Sequence, residues 1–236
     1  MSLTENIAAV QARIEAAALR AGRDPEKITL VAATKVQTSQ TIREAIAAGI
    51  RICGENRVQE MAAHLDDDAY AGARLHFIGH LQTNKVKQVV GRVDLIESVD
   101  SERLLDAISK RAGELELTQN ILLEVNIAGE ESKGGVAPAQ LPALVEKALE
   151  LPHIRLRGLM CIPPVVVSGQ SNRKFFAQTY QLFVDMNTKI ADNNADMDCL
   201  SMGMSGDFED AVEEGATLVR VGTALFGPRP PMAGNH

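Results

Sequence analysis

The fold is decided by a short apolar stretch, ITLVAA at residues 28–33, and by seven similar stretches that follow it. Short runs rich in β-branched and other apolar residues are typical of strands buried on both faces. We predict eight such strands, at residues 28–33, 51–53, 75–78, 93–98, 120–126, 156–161, 198–202 and 217–221.

Segments with apolar residues at helical spacing separate these strands. The first predicted helix, residues 2–22, precedes the first strand; Ser2 and Glu5 have the spacing of a capping box, and Gly22 suits the helix end. Further helices are predicted at 39–48, in a segment ending near 70, and at 83–90, 101–112, 138–150, 174–191 and 208–214.

Strands that alternate with helices form parallel sheets, and eight of them close a barrel. We therefore predict an α/β protein with a single domain over residues 1–236, a (β/α)8 TIM barrel with an extra N-terminal helix and no second domain. A doubly wound open sheet is the alternative. Two longer loops, 128–137 and 162–173, follow predicted strands and should lie at the carboxyl end of the barrel, where barrel enzymes place their active sites.

Composition excludes several classes of function. Of 236 residues, 45% are hydrophobic and 23% charged, as in globular proteins, and the net charge of -7 argues against nucleic acid as a partner. The chain has no apolar run of about 18 residues that could span a membrane, and no secretory signal at its start. Three widely spaced cysteines, with no zinc-binding pattern, indicate a cytoplasmic protein without a metal site.

Lys35 follows the first strand closely, so its backbone should be buried. A desolvated lysine has a lowered pKa and becomes a good nucleophile for forming a Schiff base. The alternative is a lysine whose ammonium group extends from the barrel mouth into solvent.

Arg220 lies inside the eighth strand, and period-2 alternation places it on one face with Leu218 and Gly222. The first and eighth strands are neighbours in a closed barrel, so Arg220 and Lys35 should approach one another. Two cations at one place require a shared anionic or acceptor ligand. The alternative is a buried arginine paired with an internal carboxylate such as Glu124.

Two glycine-containing turns follow the last two strands, SMGMSG at 201–206 and GTA at 222–224. Small residues let backbone N–H groups approach a phosphate, and barrels frequently bind phosphate at these two turns. The alternative is ordinary turn chemistry, with Ser205 or Asp207 capping a helix.

His76 and His80 lack a third metal ligand, and we interpret each as a hydrogen-bonding histidine. Lys133 lies in a polar loop, where a solvated charge is expected.

These motifs together resemble the pyridoxal phosphate homeostasis protein family, whose members look like the barrel domain of bacterial alanine racemase without its second, β-rich domain. The resemblance extends over nearly the whole chain. The motifs that carry it are VAATK at 31–35, CGEN at 53–56, HFIG at 76–79, RGLM at 157–160, LSMGMS at 200–205, VRVGTA at 219–224 and FG at 226–227.

The resemblance implies a cofactor, pyridoxal 5'-phosphate (PLP), and a set of residues that bind it. Lys35 would form a covalent aldimine with PLP, and Arg220 would face the pyridine nitrogen. Ser201, Gly222 and Thr223 would hold the phosphate. The remaining implied residues are Met202 and Gly203, through their backbone beside the phosphate, and Asn56 and Met160, beside the ring or its 3-oxygen.

The resemblance also implies a non-enzymatic, monomeric protein that takes part in PLP homeostasis and supply, with apo forms of PLP enzymes and free amino acids as further partners. An arginine cannot keep the pyridine nitrogen protonated, which weakens the electron sink. A racemase also needs a second acid/base, and Tyr70 and Tyr180 fall on predicted outer helices. Two alternatives stay open: a weak monomeric PLP-dependent racemase, and a PLP-free Schiff-base aldolase that acts on a phosphorylated sugar.

Overall fold

A computed structural model describes residues 2–130, 133–164, 171–190 and 197–228 of the chain. It contains eight strands, in the order that the sequence predicts. Their bounds are β1 (Thr29–Ala33), β2 (Ile52–Glu55), β3 (Arg74–Phe77), β4 (Leu95–Val99), β5 (Gln119–Val125), β6 (Ile154–Cys161), β7 (Cys199–Ser201) and β8 (Leu218–Val221).

The eight strands form a closed barrel in chain order, and every neighbouring pair is parallel. Pairing of β1 with β8 closes the barrel and sets Val31 beside Arg220. This closure confirms the predicted (β/α)8 barrel and excludes the open sheet. The described residues form one barrel domain; residue 1 and residues 229–236 of the predicted domain lie outside them, as do parts of the loops at 128–137 and 162–173.

Helices surround the barrel. The α-helices are α1 (Leu3–Arg20), α2 (Ser39–Ala47), α3 (Val58–Asp66), α4 (Glu102–Glu114), α5 (Leu141–Glu150), α6 (Arg173–Ile190), α7 (Phe208–Glu213) and α8 (Thr223–Phe226), with short 3-10 helices at Pro25–Lys27, Thr83–Gln88 and Pro138–Gln140. None of the helices in these ranges is long and apolar enough to cross a membrane.

Three predicted helices differ from those in the structure. The predicted helix at 138–150 is divided into a 3-10 helix, Pro138–Gln140, and the α-helix α5. The segment at 83–90 is a 3-10 helix over Thr83–Gln88, where no side chain caps the first turn, and Gly91 follows with a φ of 80°. The segment expected to end near 70 ends at Asp66 instead, because Asp68 adopts a left-handed φ of 49°.

The extra N-terminal helix α1 has the predicted capping box. Oγ of Ser2 accepts a hydrogen bond from the Glu5 amide, and the Ser2 amide donates to the Glu5 carboxylate at 2.7 Å. Its apolar face packs on α7 and α8 and buries Ile7, Val10, Ile14, Ala17 and Ala18. The helix therefore covers the elements that follow β7 and β8.

The barrel interior has an apolar layer, to which most strands contribute. The residues of this layer are Val31, Ile52, Leu95, Leu122, Met160 and Leu218. Glu97 lies two residues beyond Leu95 in β4, toward the carboxyl end of the strand, and Arg220 lies two residues beyond Leu218 in β8. Because side chains on one face of a strand alternate with period 2, these charged residues lie inside the barrel beyond the apolar layer.

Candidate functional site

A cavity of about 260 Å³ opens at the carboxyl ends of the strands. It brings together five of the nine residues that the sequence nominates: Lys35, Asn56, Arg220, Gly222 and Thr223. The other lining residues are Ala33, Ile78, Ile162, Met204, Ser205 and Gly206. The predicted approach of Lys35 and Arg220 at one cavity is thus present in the structure.

Lys35 stands at a tight turn just after β1. The next residue, Val36, has a left-handed φ of 58°, which is unusual for a β-branched side chain. The Val36 amide donates to Oε2 of Glu60 at 3.0 Å. This contact from α3 holds the turn in a conformation that costs about 1–3 kcal/mol, and so fixes the backbone that carries Lys35.

Arg220 is almost completely buried, with 4% exposure. Its Nη1 donates to Oγ of Ser201, and its Nη2 donates to the carbonyl oxygen of Cys161 at 2.9 Å. Its nearest carboxylate is Glu97, whose Oε2 lies 4.0 Å from Nη1. The sequence offered Glu124 as an internal partner; the structure corrects this to Glu97, because β4 faces β7 and β8 across the barrel interior at this level.

The turn after β8 gathers hydrogen-bond donors at the cavity wall. The amides of Gly222 and Ala224 both donate to Oγ of Ser205, each at 3.2 Å. Thr223 lines the cavity between them. Two backbone N–H groups converge on the Ser205 hydroxyl, and the Thr223 hydroxyl lies beside them. Donors directed at one point in this way form an arrangement suited to an anionic oxygen.

Four nominated residues do not line this cavity in the described structure. Oγ of Ser201 is fully buried and hydrogen-bonded to Arg220 and Glu97. Met160 belongs to the apolar layer of the barrel, and Met202 is fully buried. Gly203 has a φ of 89°, and a Cβ there would lie 2.5 Å from the Cβ of Ala211. Gly203 therefore serves close packing on α7, while Ser205, further along the same turn, reaches the cavity.

Asn56 has a buried side-chain oxygen without a hydrogen-bond partner in the described structure. Its backbone is held by an unusually close neighbour, Gly79, where a Cβ would lie only 2.2 Å from the Asn56 carbonyl oxygen. Only glycine permits this approach. An unsatisfied buried acceptor at a cavity wall is costly unless a ligand donates to it, so Asn56 fits a contact to a bound molecule.

A second cavity of about 530 Å³ shares Ile78 and Ile162 with the first. It is lined by Glu124, His80 and Lys133. Burial, together with the charge of Asp100, raises the pKa of Glu124. Lys133 is not the solvated charge that the sequence indicates, because its Nζ donates to the carbonyl oxygen of Pro163 and pairs with Glu130.

The two tyrosines lie away from both cavities. Tyr70 is buried and donates to Oε1 of Glu55 at 3.0 Å, and Tyr180 is 44% exposed on α6. Within the described ranges, no cluster of His, Cys, Asp and Glu could hold a metal ion.

Residues 5–230 match the family model described as the alanine racemase N-terminal domain. Curated relatives named pyridoxal phosphate homeostasis protein include one from Aquifex aeolicus, 44% identical over 97% of this chain and 99% of the relative. Another, from Pseudomonas aeruginosa, is 42% identical over 97% of this chain and 96% of the relative.

Solved structures agree with these matches. PipY of Synechococcus elongatus, in a structure with PLP bound, superimposes with a TM-score of 0.83 at 34% identity, covering 96% of this chain and all of PipY. Alanine racemase of Clostridium difficile superimposes with a TM-score of 0.70 at 12% identity, over 98% of this chain but 57% of the racemase. At that identity the racemase is similar in fold alone.

Proposed function

Because this chain belongs to the pyridoxal phosphate homeostasis protein family, we propose that it holds PLP covalently on Lys35 and takes part in intracellular PLP homeostasis and supply, without robust catalysis. The observation that carries the proposal is the cavity shared by Lys35, Arg220 and the turn at Gly222 and Thr223. An amine, a fixed guanidinium and a set of N–H and hydroxyl donors match the aldehyde, ring nitrogen and phosphate of PLP.

The residues at this cavity fit PLP one group at a time. The Lys35 amine would bind the aldehyde carbon as an imine, and Arg220 would donate to the pyridine nitrogen. The hydroxyl of Thr223, the amide of Gly222 and the hydroxyl of Ser205 would hold the phosphate. The unsatisfied oxygen of Asn56 would meet the 3-oxygen side of the ring, which can carry a proton.

Arg220 is the residue that argues against strong catalysis. PLP supplies an electron sink when bound, and a protonated ring nitrogen strengthens that sink. A guanidinium stays charged and accepts no proton, so Arg220 donates a hydrogen bond without keeping the nitrogen protonated. We therefore propose a carrier that holds the reactive aldehyde and releases PLP to apo enzymes or exchanges it with free amino acids.

A weak racemase is the second candidate function, and the position of Glu124 beside the site favours it. The tyrosines lie elsewhere, but Glu124 lines the adjoining cavity and its pKa is raised by burial. A carboxyl group with a pKa closer to neutrality is a better general acid and base.

We also propose that the protein is a cytoplasmic monomer. The free thiols of Cys53, Cys161 and Cys199 support a reducing compartment.

The two candidates differ in what happens to an amino acid. Protein loaded with PLP and freed of excess cofactor is incubated with L-alanine, and in parallel with an apo aminotransferase as acceptor. We expect the aminotransferase to gain activity while L-alanine keeps its configuration in chiral chromatography. D-alanine that the wild type forms at any rate above background and that Glu124→Gln does not form would establish the racemase. A rate of about one turnover per second or faster, an ordinary enzymatic rate, would by itself contradict the carrier.

A further inference from the structure

A chain of buried hydrogen bonds crosses the barrel interior from β3 to β8. Nδ1 of His76 lies 2.7 Å from Oε1 of Glu97, and Oγ of Ser201 donates to Oε2 of Glu97 at 2.5 Å. Nη1 of Arg220 donates to the same Ser201 oxygen. The four residues lie on four different strands, and none is more than 4% exposed.

Glu97 is the charged centre of this chain. Burial by itself would raise its pKa, but the hydrogen bond and the charge interaction with His76, the charge of Arg220 and the Ser201 hydroxyl together hold the pKa of Glu97 below its ordinary value. Glu97 is therefore a carboxylate at neutral pH. Since a carboxylate only accepts hydrogen bonds, Nδ1 of His76 must carry a proton and donate it.

The guanidinium of Arg220 is fixed at two points. Ser201 accepts from Nη1 and Cys161 accepts from Nη2, so the plane of the group is set by contacts on both terminal nitrogens. These contacts use two of the five N–H donors of an arginine. The same guanidinium lines the cavity that holds Lys35.

We propose that Glu97 is a positioning residue for the cofactor, one that orients Arg220 through Ser201 and neutralises its charge. The pyridine nitrogen of PLP would then accept a hydrogen bond from an arginine whose charge is balanced by Glu97, instead of facing an isolated cation. This inference rests on the proposed function. Removing one partner of a buried ion pair leaves the other charge uncompensated. The loss of Glu97 must therefore leave the positive charge of Arg220 without its hydrogen-bonded countercharge.

Other charged groups face Arg220 but make different contacts. Lys35 lines the same cavity, and in the loaded protein its nitrogen would be that of the imine. Glu124 on β5 interacts with Arg220 through charge, yet no hydrogen bond joins it to Arg220 or Ser201 in the described structure. Glu97 is the carboxylate that is connected to Arg220 by hydrogen bonds, through the Ser201 hydroxyl.

The test uses the visible absorbance of the bound cofactor, which depends on whether its imine is protonated. In Glu97→Gln, which keeps the shape but removes the charge, Arg220 becomes an uncompensated positive group at the ring nitrogen, in the same cavity as that imine. A nearby like charge disfavours the protonated form, and charges at such distances shift a pKa by about one unit or more. We therefore expect the midpoint pH of the absorbance change to fall by about one unit.

A double-mutant cycle shows whether Glu97 acts through Arg220. The midpoint is measured in the wild type, Glu97→Gln, Arg220→Gln and the double variant. We expect the shift caused by Glu97→Gln to vanish in the Arg220→Gln background. The matched control is Asp198→Asn, which removes the carboxylate partner of another arginine, Arg157, outside both cavities, and should leave the midpoint unchanged.

Ser201→Ala is the milder second variant, because it removes the bridging hydroxyl and leaves both charges. We expect its midpoint to move in the same direction by a smaller amount; if Glu97→Gln fails to fold, this variant decides alone. Wild-type midpoints in the folded variants, or the same Glu97→Gln shift with and without Arg220, would overturn the role of Glu97. A wild type without the absorbance band would instead contradict the proposed function.

Discussion

Thr223 and Ser205 supply the two hydroxyls at the turn after β8, beside the amides of Gly222 and Ala224. We expect Thr223→Ala and Ser205→Ala each to weaken PLP binding about ten-fold, because a hydrogen bond to a charged group is worth roughly 1.5–3 kcal/mol. The visible band of the bound fraction should keep its position, since the imine is made elsewhere. Equilibrium dialysis measures the affinity.

The matched control for these variants is Thr188→Ala, whose hydroxyl donates to the Val184 carbonyl on the outer helix α6. It should bind PLP like the wild type. A double variant of Thr223 and Ser205 with undiminished affinity would mean that the phosphate is held at another place in the barrel.

Individual side chains show where sequence reasoning stops. Lys35 and Arg220 could be placed at one cavity because strand ends and period-2 alternation determine both. That Ser205 and not Ser201 lines the cavity could not be predicted, because it depends on the path of a turn that bends at Gly203. The inward orientation of Glu97 could have been predicted, because the alternation that turns Leu95 inward also turns Glu97 inward. Which of the inward carboxylates lies nearest to Arg220 could not.

Helix α1 is the element whose contribution to stability can be isolated. Ile7 is 1% exposed on the face that packs against α7 and α8, whereas Leu19 near the other end of the helix is 62% exposed. We expect Ile7→Ala to lower the free energy of unfolding by about 2–5 kcal/mol and Leu19→Ala to change it little. Urea unfolding followed by circular dichroism measures both; equal losses would show that α1 is not docked in solution.

Elements differ in how much of them the sequence reveals. The strands were predicted to within a few residues, because buried strands between polar turns have an apolar signal that tertiary contacts do not change. The segment at 83–90 has helical spacing at Val86, Val89 and Val90, but that spacing fits one turn of either helix type. Periodicity does not encode the choice between the two helix types.

At the scale of the whole molecule, barrel closure creates the site. Lys35 and Arg220 are far apart in sequence and meet because β1 pairs with β8. That meeting could be predicted, since a count of eight alternating strands implies closure. The contacts across the barrel interior, from His76 and Glu97 to Ser201 and Arg220, could not, because strand order gives neighbours and not the residues that face each other through the core.

Mapping the covalent attachment of PLP tests the account at this scale. Protein loaded with PLP is reduced with borohydride, digested and analysed by mass spectrometry, with Lys35→Ala as the control. We expect a yellow protein that bleaches on reduction, a single adduct on Lys35, and a folded Lys35→Ala variant without it, because a lysine at a strand end contributes little core volume. An adduct on Lys133 or Lys85, or no adduct at all, would contradict the assignment of Lys35 as the residue that holds PLP.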